Sequence, residues 1–188
     1  MKAQTKTPKR RNALKTKATI LAAAQQVFAE HGYAQTGIRD IAAIADISSP
    51  LLLRYFGSKA GLFEAALIDA MRVEELFQVD RRNFGEHLAS LFMDAKRDIK
   101  PPSIIALSTG HADARDIATR VTEAHVIEPL AKRLGAPDAR ARALQIVSVA
   151  MGFVLCTRQF PLTPARKGID KNLATWFAEA VQAIVDRA

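Results

Sequence analysis

The chain has 188 residues, a formal net charge of +8, an apolar content of 49% and a single cysteine, Cys156. One cysteine excludes an intrachain disulfide framework and suits a reducing cytoplasm. No apolar run reaches the roughly 18–20 residues of a membrane span, and the basic N-terminus lacks the apolar stretch of a secretory signal. Few aromatics, abundant alanine and no alternating β-branched runs predict an all-α fold of about nine helices.

Residues 1–15 hold six Lys or Arg and no acid, which predicts a flexible basic arm. The first helix is expected from about Lys17 to His31, capped by Thr16. Ile20, Ala24, Val27 and Phe28 form its inward stripe, and Gly32 stops it. Ile38, Ile41, Ala42 and Ala45 recur at helical spacing in a second, short helix. Asp46 then stands at a turn, and Asp is one of the few non-glycine residues that tolerate a left-handed backbone. Ser48 and Ser49 are N-cap residue types, and Pro50 falls in a first turn, where a missing N–H costs nothing. The third helix, about Ser49 to Tyr55, buries Leu52 and Phe56 and turns Ser49, Pro50, Leu51 and Leu53 outward. Two short helices joined by a tight turn form a helix-turn-helix, whose second helix enters the DNA major groove. Residues 1–64 carry ten Lys or Arg against four acids, whereas 65–188 carry 17 against 15. The basic excess thus travels with the helix-turn-helix, as expected of a nucleic-acid-binding head on a near-neutral body.

Further along, Gly57 ends the third helix and Ser58 caps a fourth that runs to about Phe77 and links head to body. Asn83–Asp98 reads as a helix with Phe84, His87, Leu88, Leu91 and Phe92 on one face. A short segment follows from Pro101 to near Gly110. Asp113 caps a longer helix towards Leu134, which Pro129 bends or interrupts. The stretch Ala143–Cys156 is apolar nearly all round, so both its sides need cover. The last helix, about Asp170 to Arg187, repeats Leu173, Trp176, Phe177, Ala180, Val181 and Ile184 at helical steps. A terminal pair this apolar implies that part of it faces a second subunit.

The segments TKATILAAAQQVFAEHGYAQTGIRDIAAIAD and RYFGSKAGLFEAAL resemble the DNA-binding domain of the TetR family of bacterial transcriptional repressors, over about residues 16–68. The resemblance implies a helix-turn-helix DNA-binding domain at 16–60 and a ligand-binding and dimerisation domain at 61–188. It implies a homodimer through the last two helices on a palindromic duplex operator, and a small-molecule effector. It carries no cofactor and no metal. A cytoplasmic regulator, nucleoid-associated when bound, is the corresponding expectation.

Transferred residue by residue, Thr36 caps the second helix and bonds a phosphate, and Arg39 reaches a phosphate or a guanine edge. Ser48, Ser49, Pro50 and Leu51 lie nearest the bases, Pro50 and Leu51 offering only apolar surface, such as a thymine methyl accepts. Tyr55 bonds a phosphate through its hydroxyl. Lys59 brings its charge to the start of a helix, where an anion is attracted. Gly37, Leu53 and Asp46 depart from the family's usual residues, and Leu53 replaces a common phosphate-touching Tyr. For the body, an apolar lining of Phe84, Leu88, Phe92, Met93, Ile104, Leu107, Met151 and Phe153, with His87, His111, His125 and Ser108 as polar contacts, predicts a pocket for an apolar or aromatic ligand. Leu88, Phe92, His111, His125 and Met151 are the leading candidates.

Two other readings compete. One is a helical adaptor that keeps the fold without binding DNA, against which the basic head argues. The other is a small helical enzyme, but the chain has no glycine-rich phosphate loop, CxxC, HExxH or GxSxG motif. Its four histidines are scattered.

Overall fold

The computed structural model describes residues 8–71, 73–94, 96–159, 162 and 170–187. Ten α-helical segments occur among them: α1 Pro8–Gln35, α2 Ile38–Ile44, α3 Ser49–Phe56, α4 Lys59–Ala70, α5 Phe84–Met93, α6 Pro101–Ser108, α7 Ala112–Thr122, α8 Glu128–Leu134, α9 Ala139–Val154 and α10 Lys171–Asp186. A π-helical turn, Glu123–Ile127, joins α7 to α8 in one rod, leaving nine separate helices among the described residues. Pro129 lies in the first turn of α8. The wide π-turn sits just ahead of it, where a proline's absent N–H and its ring disturb the preceding carbonyls. The expected interruption is therefore a change of pitch and not a break.

Several boundaries differ from the sequence reading. α1 begins at Pro8, so residues 8–15 of the predicted arm are helical, while 1–7 lie outside the described residues. Thr16 is accordingly inside a helix and caps nothing; its hydroxyl donates to the Asn12 carbonyl at 2.9 Å. Gly32 does terminate the regular part of α1, with φ +71°, and a Cβ there would come within 2.7 Å of the Leu107 carbonyl of α6. Only glycine allows both that backbone and that approach. α4 stops at Ala70 and not near Phe77; Val73–Phe77 is a separate 3₁₀ turn. α5 ends at Met93, short of Asp98. His111, not Asp113, is the N-cap residue of α7.

Two apolar clusters hold the molecule. The first packs Ile20, Ala24, Val27 and Phe28 of α1 against Ile41, Leu52, Leu62, Phe63 and Leu67, then continues through Ile104 of α6 into Ile117 and Val121 of α7. Phe63 stands edge-on to Phe28 at 5.0 Å and to Tyr33 at 5.1 Å, a favoured aromatic geometry. The second joins α5, α8, α9 and α10 around Phe84, Leu88, Phe153, Phe177 and Val181, with Phe153 and Phe177 4.3 Å apart. No gap in packing falls at residue 60; the head's core runs through α4 into the body.

The run Ala139–Gln159, which is α9 plus a closing π-turn, has a mean hydropathy of 1.4 and is long and apolar enough to cross a membrane by length and composition. This corrects the expectation that no apolar run reaches that length: Gln145, Ser148 and Gly152 break the run in sequence without lowering its mean hydropathy below that of a span. Only 28% of that window is buried, so a helix apolar all round leaves much of its surface uncovered within one chain.

Candidate nucleic-acid interface and effector cleft

Local chemistry sets the pose of α3. Asp46 takes φ +53° at the turn after α2, the left-handed conformation its short polar side chain tolerates. The Ser48 hydroxyl oxygen accepts the Leu51 N–H at 3.4 Å, making Ser48 the N-cap. Pro50 occupies a first-turn position. Gly57, at φ +75°, ends the helix, and Ser58 Oγ accepts the Gly61 N–H at 3.0 Å to open α4. Leu52 is fully buried beneath α3.

With 100° per residue, Pro50, Leu53 and Arg54 share the outward face of α3, flanked by Ser49 and Leu51. The accessibilities agree: Pro50, Leu53 and Arg54 are exposed, Ser49 and Leu51 half-buried. Leu53 keeps 38% of its surface open. Arg39 is exposed on α2. Tyr55 is half-buried against the head's core. Arg54 is the residue the sequence reading missed. A basic residue four places after Pro50 shares its face, and that spacing was the available signal.

Thr36 needs correction. It is 3% exposed, and its hydroxyl donates to the Gly32 carbonyl at 2.6 Å, so it ties off α1 and neither caps α2 nor faces outward. The N-cap of α2 is Gly37, whose N–H is instead bound by the Asp40 carboxylate at 2.9 Å. Lys59 opens α4 with its ammonium over the Tyr33 ring, 4.4 Å from the centroid, a cation–π seat. Burial draws its pKa below the ordinary lysine value.

A cleft of about 530 Å³ opens between head and body. Its walls come from Gln25 of α1, the Asp69–Met71 end of α4, Leu76, Leu91, Phe92, Ile99, Pro101, Ile105, Val126, Val147 and Met151. Phe92 and Met151 of the predicted set are there. Leu88 is not: it is 2% exposed in the second core, with Phe84 and Phe153. Ile104 belongs to the first core. His111 packs at a tilt against Tyr33, ring centroids 4.7 Å apart, and His125 sits in the π-turn away from the lining. Composition indicated greasy residues but not which of them share a wall. The rim is also more charged than expected, with Glu75–Arg97 paired at 2.6 Å and Asp98–Lys100 at 3.2 Å. Thr122 Oγ1 lines the cleft buried and without a hydrogen-bond partner among the described residues.

A capped recognition helix on a basic head, packed onto an all-helical body with a cleft, is the architecture of a helix-turn-helix DNA-binding transcriptional regulator. Residues 20–66 match the bacterial regulatory proteins of the tetR family, and residues 83–185 match the tetracyclin repressor-like C-terminal domain. The chain belongs to the TetR family. An HTH-type transcriptional repressor of Mycobacterium tuberculosis is 50% identical over 50 residues, a stretch that covers 27% of this chain and 27% of that protein. The likeness to that relative thus spans about a quarter of its length. Among solved structures, a TetR-family regulator from Rhodococcus superposes with a TM-score of 0.74 at 18% identity, covering 92% of this chain and 100% of that one. NalD, the secondary repressor of the MexAB-OprM multidrug efflux pump of Pseudomonas aeruginosa, superposes at 0.62 with 20% identity, covering 92% and 95%. At these identities the structural likeness speaks for the fold.

Proposed function

We propose that this regulator is a cytoplasmic repressor that binds a palindromic operator as a homodimer and leaves it when a small ligand fills the cleft. In this reading residues 16–60 contact DNA and residues 61–188 dimerise and bind ligand. The observation that carries it is the unbroken core from α1–α3 through α4 to α6 and α7, with the cleft against the far end of α4. Gln25 of α1 donates to the Ala66 carbonyl at 3.1 Å and to the Asp69 carboxylate at 2.8 Å, so anything that pries the cleft open acts directly on the head. A ligand moves that equilibrium only by its differential affinity for the two states.

The experiment is selection of bound duplexes from a random pool, followed by titration at several salt concentrations. Two heads related by a two-fold axis see half-sites about one helical turn or more apart. Each phosphate neutralised contributes roughly 0.9 to the slope of log affinity against log salt. Lys59→Ala and Tyr55→Phe should weaken binding to all sequences alike, because phosphate contacts position without specifying. A chain that stays monomeric on DNA, or a Lys59→Ala variant with altered base preference and intact non-specific affinity, contradicts the reading.

For the dimer, α10 exposes Trp176 and Ala183 with Ala180 half-buried between them, and α9 exposes Leu144, Ser148 and Gly152. The α9 stripe recurs at four-residue steps and the α10 stripe at steps of four and three, and the small side chains permit close helix approach. Trp176 is the chain's one tryptophan and is 54% exposed in the isolated chain. Its emission should therefore shift to the blue on association, and Trp176→Asp should give a monomer by sedimentation. An emission maximum that stays that of open tryptophan across the association range would place the interface elsewhere.

For the ligand, Met151→Trp should fill part of the cleft. Aromatic compounds that raise the melting temperature of the wild-type chain and lower its operator affinity should lose both effects in the variant, while operator binding without ligand persists. Equal thermal shifts in both proteins would remove the cleft from the argument.

A further inference from the structure

The chemistry of the α3 surface goes further than docking. Its outward face is what a recognition helix brings to the base edges. Base edges are distinguished in the major groove by hydrogen-bond patterns and, for thymine alone, by the C5 methyl group. On α3 the means for hydrogen-bonded reading are few. Ser48 uses a lone pair on the Leu51 N–H, Ser49 offers a single half-buried hydroxyl on the flank, Pro50 has neither a side-chain polar group nor an N–H, and Leu51 and Leu53 are hydrocarbon. Leu53 is nonetheless 38% exposed, and Pro50 is exposed beside it one turn away. Packing inside the chain does not explain that exposure, since Leu52 alone is the buried anchor of this helix. The occupant is duplex DNA: the head carries the chain's basic excess, ten Lys or Arg against four acids in residues 1–64, with Arg54 exposed on the same face and Arg39 exposed on α2.

We infer that Pro50 and Leu53, with Leu51 at their flank, read thymine by its methyl group, so that each half-site contains at least one thymine recognised through apolar contact and not through hydrogen bonds. This rests on the operator-binding reading above and assigns the chemistry of its specificity. Arg54, one turn further along the same face, is then the hydrogen-bonding reader, its fork of donors suited to a guanine edge adjoining the thymine.

The test alters the DNA and leaves the protein folded. In the selected operator, each thymine is replaced singly by deoxyuridine, which removes the methyl and keeps every hydrogen-bonding group. Affinity of the full-length chain is measured by fluorescence anisotropy at fixed salt. At one or two thymine positions in each half-site the replacement should lower affinity roughly fourfold, the ratio given by about 0.8 kcal/mol for one buried methyl-sized group. In Leu53→Ala or Leu51→Ala that penalty should shrink towards onefold, because the partner of the methyl is gone. An operator bound specifically, with no deoxyuridine penalty at any position, overturns the inference and leaves operator binding intact. A penalty that persists unchanged in both leucine variants also overturns it. Failure to select any duplex overturns the operator-binding reading, and this inference with it.

Discussion

Replacing Arg142 with alanine should destabilise the fold by about 3 kcal/mol or more, the largest single-residue effect expected in the body, because it removes a buried guanidinium whose charge-assisted hydrogen bonds contribute about 1.5–3 kcal/mol each. Arg142 is 3% exposed although it stands in the basic run Arg140–Arg142. Its Nε donates to the Pro137 carbonyl at 3.0 Å. One terminal nitrogen donates to the Val185 and Arg187 carbonyls at 3.3 and 2.7 Å. The other donates to the Leu134 carbonyl at 3.2 Å and to that of Gly135. One guanidinium thus satisfies carbonyls at the end of α8, in the turn to α9 and at the end of α10. Arg81 shares the Leu134 and Val185 carbonyls, so those two keep a donor in the variant. The Gly135, Pro137 and Arg187 carbonyls lose theirs, and a cavity is left behind.

The control is two residues away. Arg140 binds the Glu123 carboxylate at 3.0 and 2.9 Å, but its side chain is 63% exposed. An exposed pair of this kind contributes about 0–1 kcal/mol, so Arg140→Ala should be nearly silent. Lysine at 142 should recover little, because a point ammonium cannot span the spread of acceptors that a planar fork reaches. Urea unfolding or calorimetry decides it, with a drop in Tm of roughly 6–12 °C for Arg142→Ala in a chain of this size. Equal effects at 140 and 142 would mean that the five-carbonyl seat does not carry the joint.

That contrast also marks where sequence reading stops. Two arginines near the start of a helix read as solvated charge, since charged residues are almost never buried unless paired; nothing local separates Arg142 from Arg140. The head was legible because its determinants are local. The turn conformation at Asp46, the Ser48 cap, the early Pro50, the helix stop at Gly57 and the Ser58 cap all act within four residues of themselves. Thr36 was misread because its acceptor, the Gly32 carbonyl, lies back in the preceding turn and not forward in α2. The body's apolar faces were legible by period, but its cavity was not. Leu88 and Phe92 are one helical turn apart on α5, yet one fills the second core and the other faces the cleft. Which side of a helix meets which neighbour is settled by contacts distant in sequence.

The joint between reading helix and body gives the second large effect, at Gly61. In the third position of α4, alanine is favoured over glycine by about 1 kcal/mol on helix propensity alone. Contact opposes it. A Cβ on Gly61 would stand 2.3 Å from the carbonyl oxygen of Phe56, the last residue of α3, and 3.6 Å from the capping Ser58 hydroxyl. The near atom is backbone, so no side-chain rotation relieves the clash and the end of α3 must move off α4. Overpacking of this kind costs about 1–3 kcal/mol, enough to outweigh the propensity gain. The displaced element is the recognition helix, joined to α4 by the short corner at Gly57–Ser58. Gly61→Ala should therefore reduce operator affinity on the order of tenfold or more, corresponding to about 1.4 kcal/mol of binding free energy. The body should stay folded, as read by helical circular dichroism. Gly110→Ala serves as the comparison: a Cβ there meets nothing within 4 Å and its φ is not positive, so stability and operator affinity should stay at wild-type values. If Gly61→Ala binds the operator as tightly as wild type and melts no lower, the close approach of α3 to α4 is not what positions the reading face.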